Sequence, residues 1–395
     1  MHMDNDRWSK LKEEMREAAP GLGIDSIGVT TADSFDELKQ ILIRHRELGR
    51  ESGFEEKDLD KRTNPSLLHE DPKSIIAIAV AYPTKIENAP KSEKGARRGI
   101  LSRSAWGEDY HKVLRDRLAK LERWLRERVP ELLAVSMVDT GELVDRAVAE
   151  RAGIGWSAKN CSIITPEWGS WVYLGEMITN LPLPPDTPIT ESCGSCTICI
   201  DACPTDALVG PGQLDATRCI SFITQTKGMI EEPIMRKMGN RIYGCDTCQT
   251  VCPINKGKNW THQPELQPDP ELVMPLLTPL LSMSNKEFQA RYSQSSSAWR
   301  GKKPIQRNAL IALGNYKEAS AVPEIIKVLE EDTRPVLRGT AAWALGRIGG
   351  TDARESLRRA WETEADEEAK AEVGKALERL GIPMEESRSE QHENL

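Results

Sequence analysis

The stretch CGSCTICIDACP, Cys193 to Pro204, is followed by an isolated Cys219 and then by CDTCQTVCP, Cys245 to Pro253. Thiolates spaced CxxCxxCxxxCP turn three sulfurs toward one iron-sulfur cube, while the fourth, ahead of proline, points to another. The spacing therefore predicts crossed ligation. One [4Fe-4S] cluster takes Cys193, Cys196, Cys199 and Cys252, and the second takes Cys203, Cys219, Cys245 and Cys248. The later motif lacks one cysteine of the usual set, so Cys219 stands in. Eight of the nine cysteines are then used, and Cys161 is left to read as a buried thiol.

Other uses of clustered cysteine account for less. Zinc wants four ligands and gives no reason for eight thiols or two Cys-Pro pairs. A disulfide scaffold belongs to small secreted chains, not to 395 residues with eight cysteines in one segment. A thiol-exchange motif needs a single CxxC at a helix start. Two adjacent cubes mean single-electron traffic.

The bulk numbers bound the rest. With 53 Lys and Arg against 61 Asp and Glu, the net charge is -8, which argues against coating a polyanion at large. Any nucleic-acid contact must come from a local patch. No apolar run is long enough to span a bilayer, so no membrane contact is expected. Thiolate ligands need a reducing compartment, hence the cytoplasm. A chain of this length supports more than one core, and three domains are expected. They are an α/β mixed-sheet domain over 1–185, a ferredoxin-like domain with two [4Fe-4S] clusters over 186–265, and an all-α HEAT-like repeat domain over 266–388, in a monomer.

The first domain follows from periodicity. After a charged opening helix, 23–31 reads as a strand and 35–49 as a helix with Leu38, Ile41, Leu42 and Ile43 at helical spacing. The run SIIAIAVAY, 74–82, is β-branched throughout, as in a strand covered on both faces. A long amphipathic helix over 111–129, a strand over 132–138, a helix over 144–152 and two short strands within 161–181 complete an alternating pattern.

Two motifs mislead. GIGWSA, 153–158, matches a dinucleotide fingerprint but follows a helix rather than a strand, so it reads as a turn. Asp109-Tyr110-His111 opens like the DxHxxG signal of histidine-on cobalamin proteins, but position 114 is Leu, and His111 reads as the polar first turn of a helix. Asp139 closes a strand ahead of Thr140-Gly141. It is either a group at a sheet edge placed for chemistry or the cap of the next helix.

Taken together, SMVDTGE (136–142), ERAGIG (150–155), Lys159-Asn160, the eight-cysteine pattern and WRGKKP (299–304) resemble the epoxyqueuosine reductases, cobalamin- and iron-sulfur-dependent enzymes of bacterial queuosine synthesis related to reductive dehalogenases. The resemblance runs from Gly23 into the C-terminal repeats. It implies cobalamin between the first two domains, with no histidine on cobalt. By similarity Asp139 is the proton donor, and Arg62, Ser102, Asp139, Lys159, Asn160, Ile163, Leu174, Ser221, Cys245 and Asp246 are cobalamin contacts. Some relatives carry cysteine where this chain has Ser102, so no essential thiol is expected there. The implied reaction uses Co(I) to open the epoxide of tRNA-borne epoxyqueuosine, with electrons from an external low-potential donor. The departing oxygen needs a proton, and burial is expected to raise the Asp139 pKa for that task.

The final third repeats. Ala312-Leu313-Gly314, Ala344-Leu345-Gly346 and Ala376-Leu377 recur every 32 residues between helical patterns, as in a HEAT-like array. The polar tail 385–395 reads as frayed. From Phe288 to Lys317 there is no acidic residue. With Tyr292 and Trp299 interleaved, Arg300, Lys302, Lys303 and Arg307 are expected to meet tRNA phosphates, joined by Lys227. Competing readings are a dehalogenase-like oxidoreductase, a ferredoxin-type electron carrier and a helical scaffold. Each leaves part of the chain without a role.

Overall fold

A computed structural model describes residues 2–383, with side chains described from residue 6. The polar tail at 385–395 lies outside the described residues. Four strands form the main sheet in the order Ser26–Thr31, Ser74–Ala81, Val172–Thr179, Ala134–Met137. All three of its pairings are antiparallel. The parallel pairing lies elsewhere, between Ile100–Leu101 and Arg241–Tyr243, and ties the sheet domain to the cluster segment.

The β-branched run behaves as its composition demands. All eight residues of Ser74–Ala81 are buried. Ile76, Ile78 and Val80 pack with Leu114, Leu118, Leu121 and Leu125 of the helix Tyr110–Arg126. The alternate residues, Ile75, Ala77 and Ala79, pack with Val148 and Ala149 of the helix Asp145–Arg151. A period of two thus serves two cores. The second of the two strands expected within 161–181 is eight residues long and central, while the first is only Ile163–Ile164. Gly153, at φ +71, turns the chain after a helix, and 153–155 is a connection rather than a phosphate loop.

The repeats stack through small residues. A Cβ on Gly314 would come within 2.6 Å of Trp343, and one on Gly346 within 2.7 Å of Ala376. The recurring glycine lets Lys302–Tyr316, Pro335–Ile348 and Glu367–Arg379 lie against one another. Their apolar core does not stop at residue 266. It continues through Ile220, Met235, Ile242 and Tyr243 to Leu101, so the array grips the cluster segment and a strand of the first domain together.

Candidate active site and iron-sulfur segment

Asp139 stands where the edge strand ends. Its φ of +50 is left-handed, uncommon for a residue with a side chain, and its backbone N–H donates to Asp145 Oδ2 at 2.8 Å. The helix that follows begins at Asp145 with Val144 as its cap, so Asp139 is no cap. Its carboxylate is 59% exposed. Two donors from the start of the Tyr110–Arg126 helix hold it: Tyr110 Oη–H at 2.7 Å and His111 Nε2 at 3.2 Å, both on Oδ2. The other imidazole nitrogen, Nδ1, lies 2.8 Å from Asp109 Oδ1.

This arrangement corrects two expectations. Asp139 is held below, not above, the usual carboxylate range, first by the hydrogen bond with His111 and then by that from Tyr110, against the opposing effect of burial. His111 is not merely the polar first turn of a helix. Burial would lower it, but its hydrogen bonds with Asp109 and Asp139 prevail and raise it to about 9. At neutral pH the pair therefore carries one proton, resting on the imidazole. Beneath the loop, Asp145 is raised to about 6 by burial, and buried Glu176 beside it is raised further.

The thiols fall into two groups. Cys193 and Cys252 pack against one apolar patch of Trp156, Ala158 and Ile164, and Cys199 has both as charged neighbours. Cys245 packs on the separate core shared with the repeats. Cys219 neighbours Cys245 and Cys203, and Cys248 neighbours Cys245, Cys219, Cys199 and Cys203. Cys196 contributes through its backbone as well, since its carbonyl accepts from Lys159 Nζ. Among the described residues no three His, Cys, Asp or Glu side chains converge as a single ion requires. An iron-sulfur cube is a larger body than a single ion and is held by four cysteine thiolates.

The other expected contacts divide. Arg62 is half-buried and its guanidinium makes no hydrogen bond among the described residues, which leaves its donors available. Buried Ser102 lies under the Cys245 loop, its N–H donating to Tyr243 O at 2.8 Å. Asp246 is engaged by Arg103, through backbone N–H and guanidinium at 2.9 Å each. Lys159 spends two of its three donors on the protein: Nζ donates to Gly194 O at 2.6 Å and Cys196 O at 2.9 Å, pinning the first cysteine loop. Asn160 Nδ2 reaches Cys248 O at 3.4 Å, Ile163 is core, and Leu174 and Ser221 are half-buried. Cys161 sits at φ +66 with its thiol pushed up by burial.

The basic patch is also corrected. Arg307 is fully buried and clamps the 223–228 loop from beneath. It donates to Ile223 O at 2.9 Å, Thr226 O at 2.8 Å and Gly228 O at 2.7 Å, so it meets no phosphate. Tyr292 is core as well. Lys302 Nζ spends one donor on Met283 O, whereas Lys227, on the clamped loop, is exposed and Lys303 is half-buried.

Sequence reasoning missed Tyr110 and the stack behind it. Tyr110 lies parallel to Tyr173 at 4.6 Å, and Tyr173 lies on Tyr82 at 4.4 Å. Tyr82 Oη lies 3.4 Å from the side chain of Gln249, the residue after Cys248. Three rings thus bridge the cysteine segment and Asp139. An aromatic at the first turn beside a histidine was the only local signal.

Comparison with known proteins fits this layout. A family model described as epoxyqueuosine reductase QueG, DUF1730, matches residues 62–140; a 4Fe-4S double cluster binding domain matches 192–255, and HEAT repeats match 300–378. The epoxyqueuosine reductase of Bacillus anthracis is 60% identical over 378 residues, covering 96% of this chain and all of that one. This chain belongs to the epoxyqueuosine reductase family. The Bacillus subtilis reductase is 58% identical over 94% of this chain and 96% of its own. A crystal structure of an epoxyqueuosine reductase with an epoxyqueuosine-modified tRNA-Tyr stem loop matches with a TM-score of 0.93 at 58% identity, over 95% of this chain and all of that one. The reductase of Streptococcus thermophilus matches at 0.90 and 41% identity, over 94% of this chain and 99% of that one. The α/β, double-cluster and HEAT-repeat architecture is thus that of the family, and the chain is an oxidoreductase. No helix among the described residues is long and apolar enough to cross a membrane.

Proposed function

We propose that the chain reduces the epoxide of epoxyqueuosine in the tRNA anticodon loop to the alkene of queuosine, the last step of queuosine biosynthesis. The observation that carries the mechanism is the three-tyrosine bridge from the Cys248 loop to Asp139. Redox centres and an acid site on the two ends of one bridge suit a reaction that consumes electrons and protons together. Two electrons and two protons turn the epoxide into an alkene and water.

Cys193, Cys196, Cys199 and Cys252 would hold one cube, and Cys203, Cys219, Cys245 and Cys248 the other. Cobalamin would lie over Ser102, Ser221 and the Cys245-Asp246 loop, with Arg62 free to donate to its amide oxygens and Ile163 and Leu174 as apolar wall. When bound, the corrinoid supplies low-potential electrons to the epoxide carbon. The chain's own residues manage the protons. Tyr110 fixes the Asp139 carboxylate, and His111 holds the resting proton 3.2 Å away. Docked substrate strips water from Asp139 and raises its proton affinity. The proton then passes from His111 Nε2 through Asp139 Oδ2 to the leaving oxygen, and solvent reloads His111.

Lys227, Arg300, Lys302 and Lys303 supply phosphate contacts, with Lys302 also tied to Met283 O. The protein acts as a monomer in the cytoplasm, where thiolate ligands persist, with an external low-potential donor. Mass analysis of a stem loop carrying epoxyqueuosine, incubated with the cobalamin-loaded protein and a chemical reductant, tests the reading. Loss of one oxygen supports it. Unchanged RNA in the presence of intact clusters and bound corrinoid removes it.

A further inference from the structure

Phe54 is 44% exposed and Trp299 is 52% exposed. They are the two aromatic side chains among the large apolar groups left exposed in the described residues, and they touch. Their ring centroids are 5.0 Å apart at 86°, and Phe54 is backed by Phe222 at 5.1 Å. The Arg300 guanidinium lies over both rings, 5.1 Å from Phe54 and 4.8 Å from Trp299. Residues from three distant parts of the chain thus build one exposed aromatic surface. Large exposed apolar groups in contact with each other are costly to leave in water, and such patches mark recognition.

The indole is fixed by its edge. Trp299 Nε1–H donates to Gln225 Oε1 at 2.7 Å, and Arg300 Nε donates to Gln225 O at 3.1 Å. Its rim is anchored while much of the ring stays open, the arrangement needed for a flat ligand. Gln225 Oε1 also accepts from Tyr243 Oη at 3.3 Å, and Tyr243 lies within electrostatic reach of Asp109 and Asp139. Gln225 thus ties the aromatic surface to Tyr243, on the side of the acid site. The surrounding stretch from Phe288 to Lys317 has no acidic residue, and exposed Lys227 lies two residues beyond Gln225. A flat, π-rich ligand carrying negative charge nearby is an unpaired nucleobase on its phosphate backbone.

We propose that Trp299, backed by Phe54 and Arg300, stacks an unpaired base of the tRNA loop next to the one that reacts. This rests on the tRNA reading above. The test measures binding of stem loops carrying epoxyqueuosine to the full, cluster-loaded protein, with the loop's other unpaired bases made abasic one at a time. Trp299→Ala is expected to weaken the intact stem loop roughly ten- to hundredfold. Trp299→Phe should recover most of that loss, and one abasic stem loop should be indifferent to Trp299→Ala because its stacking base is already gone. Steep salt dependence with equal losses for every abasic RNA, or no loss for the intact one, overturns the stacking proposal alone. Failure of wild-type protein to bind the modified stem loop overturns it together with the tRNA reading. Iron content of each variant confirms that the fold and cysteine segment survive.

Discussion

His111 Nε2 lies 3.2 Å from Asp139 Oδ2, and the proton they share rests on the imidazole. On the mechanism proposed above, the acid that serves the leaving oxygen is thus a pair, not a lone carboxyl. Turnover should hold up to about pH 9 and fall as pH rises through the His111 value. In His111→Gln the alkaline limb should move several units down, toward the carboxylate range. An unmoved limb would take His111 out of the proton path. The same raised value has a stability sign. Its contribution is complete below the ordinary histidine value of 6.5 and is lost as pH rises through about 9. Titration of the His111 ring by NMR reads it without turnover.

Asp139→Asn keeps the shape and one acceptor for Tyr110 but cannot relay a proton. Turnover should fall by roughly 10²- to 10⁴-fold, while iron content and corrinoid uptake stay near wild type. Near-normal turnover would reassign the acid.

Arg307→Ala removes the clamp under the 223–228 loop and leaves several buried carbonyls without donors, each costing about 1–3 kcal/mol. Stability should drop by roughly 3 kcal/mol or more, seen as a lower unfolding midpoint. A change within about 0.5 kcal/mol would mean that the carbonyls find other partners.

The crossed ligation proposed above would make distant cysteines equivalent. Cys252→Ser should produce the same loss of iron and of electron-spin-resonance signal as Cys199→Ser, whereas Cys248→Ser should match Cys219→Ser. If Cys252→Ser instead matched Cys248→Ser, each motif would serve its own cluster.

What was legible in the chain was local or periodic. Cysteine spacing, the buried run at 74–81 and the 32-residue return of Ala-Leu-Gly each carry their meaning within a few turns. The partners of Asp139 lie 28 and 29 residues earlier, and they meet it only because the helix Tyr110–Arg126 starts where the edge strand ends. Nothing in the local pattern gives that meeting. Arg307 misled for the opposite reason: it follows Lys302 and Lys303 in a stretch without acidic residues, yet the helix from Pro304 onward is buried and Arg307 is spent on a loop some 80 residues away. Phe54 offered no signal, because its role depends on Trp299.

The central claim is that the cysteine segment and the Asp139 site serve one corrinoid between them. Protein prepared without oxygen, scored for iron and sulfide and then titrated with cobalamin, tests it most directly. The account predicts iron for two cubes and stoichiometric uptake of cobalamin with the spectrum of a base-off corrinoid. Full iron with no cobalamin uptake would contradict it.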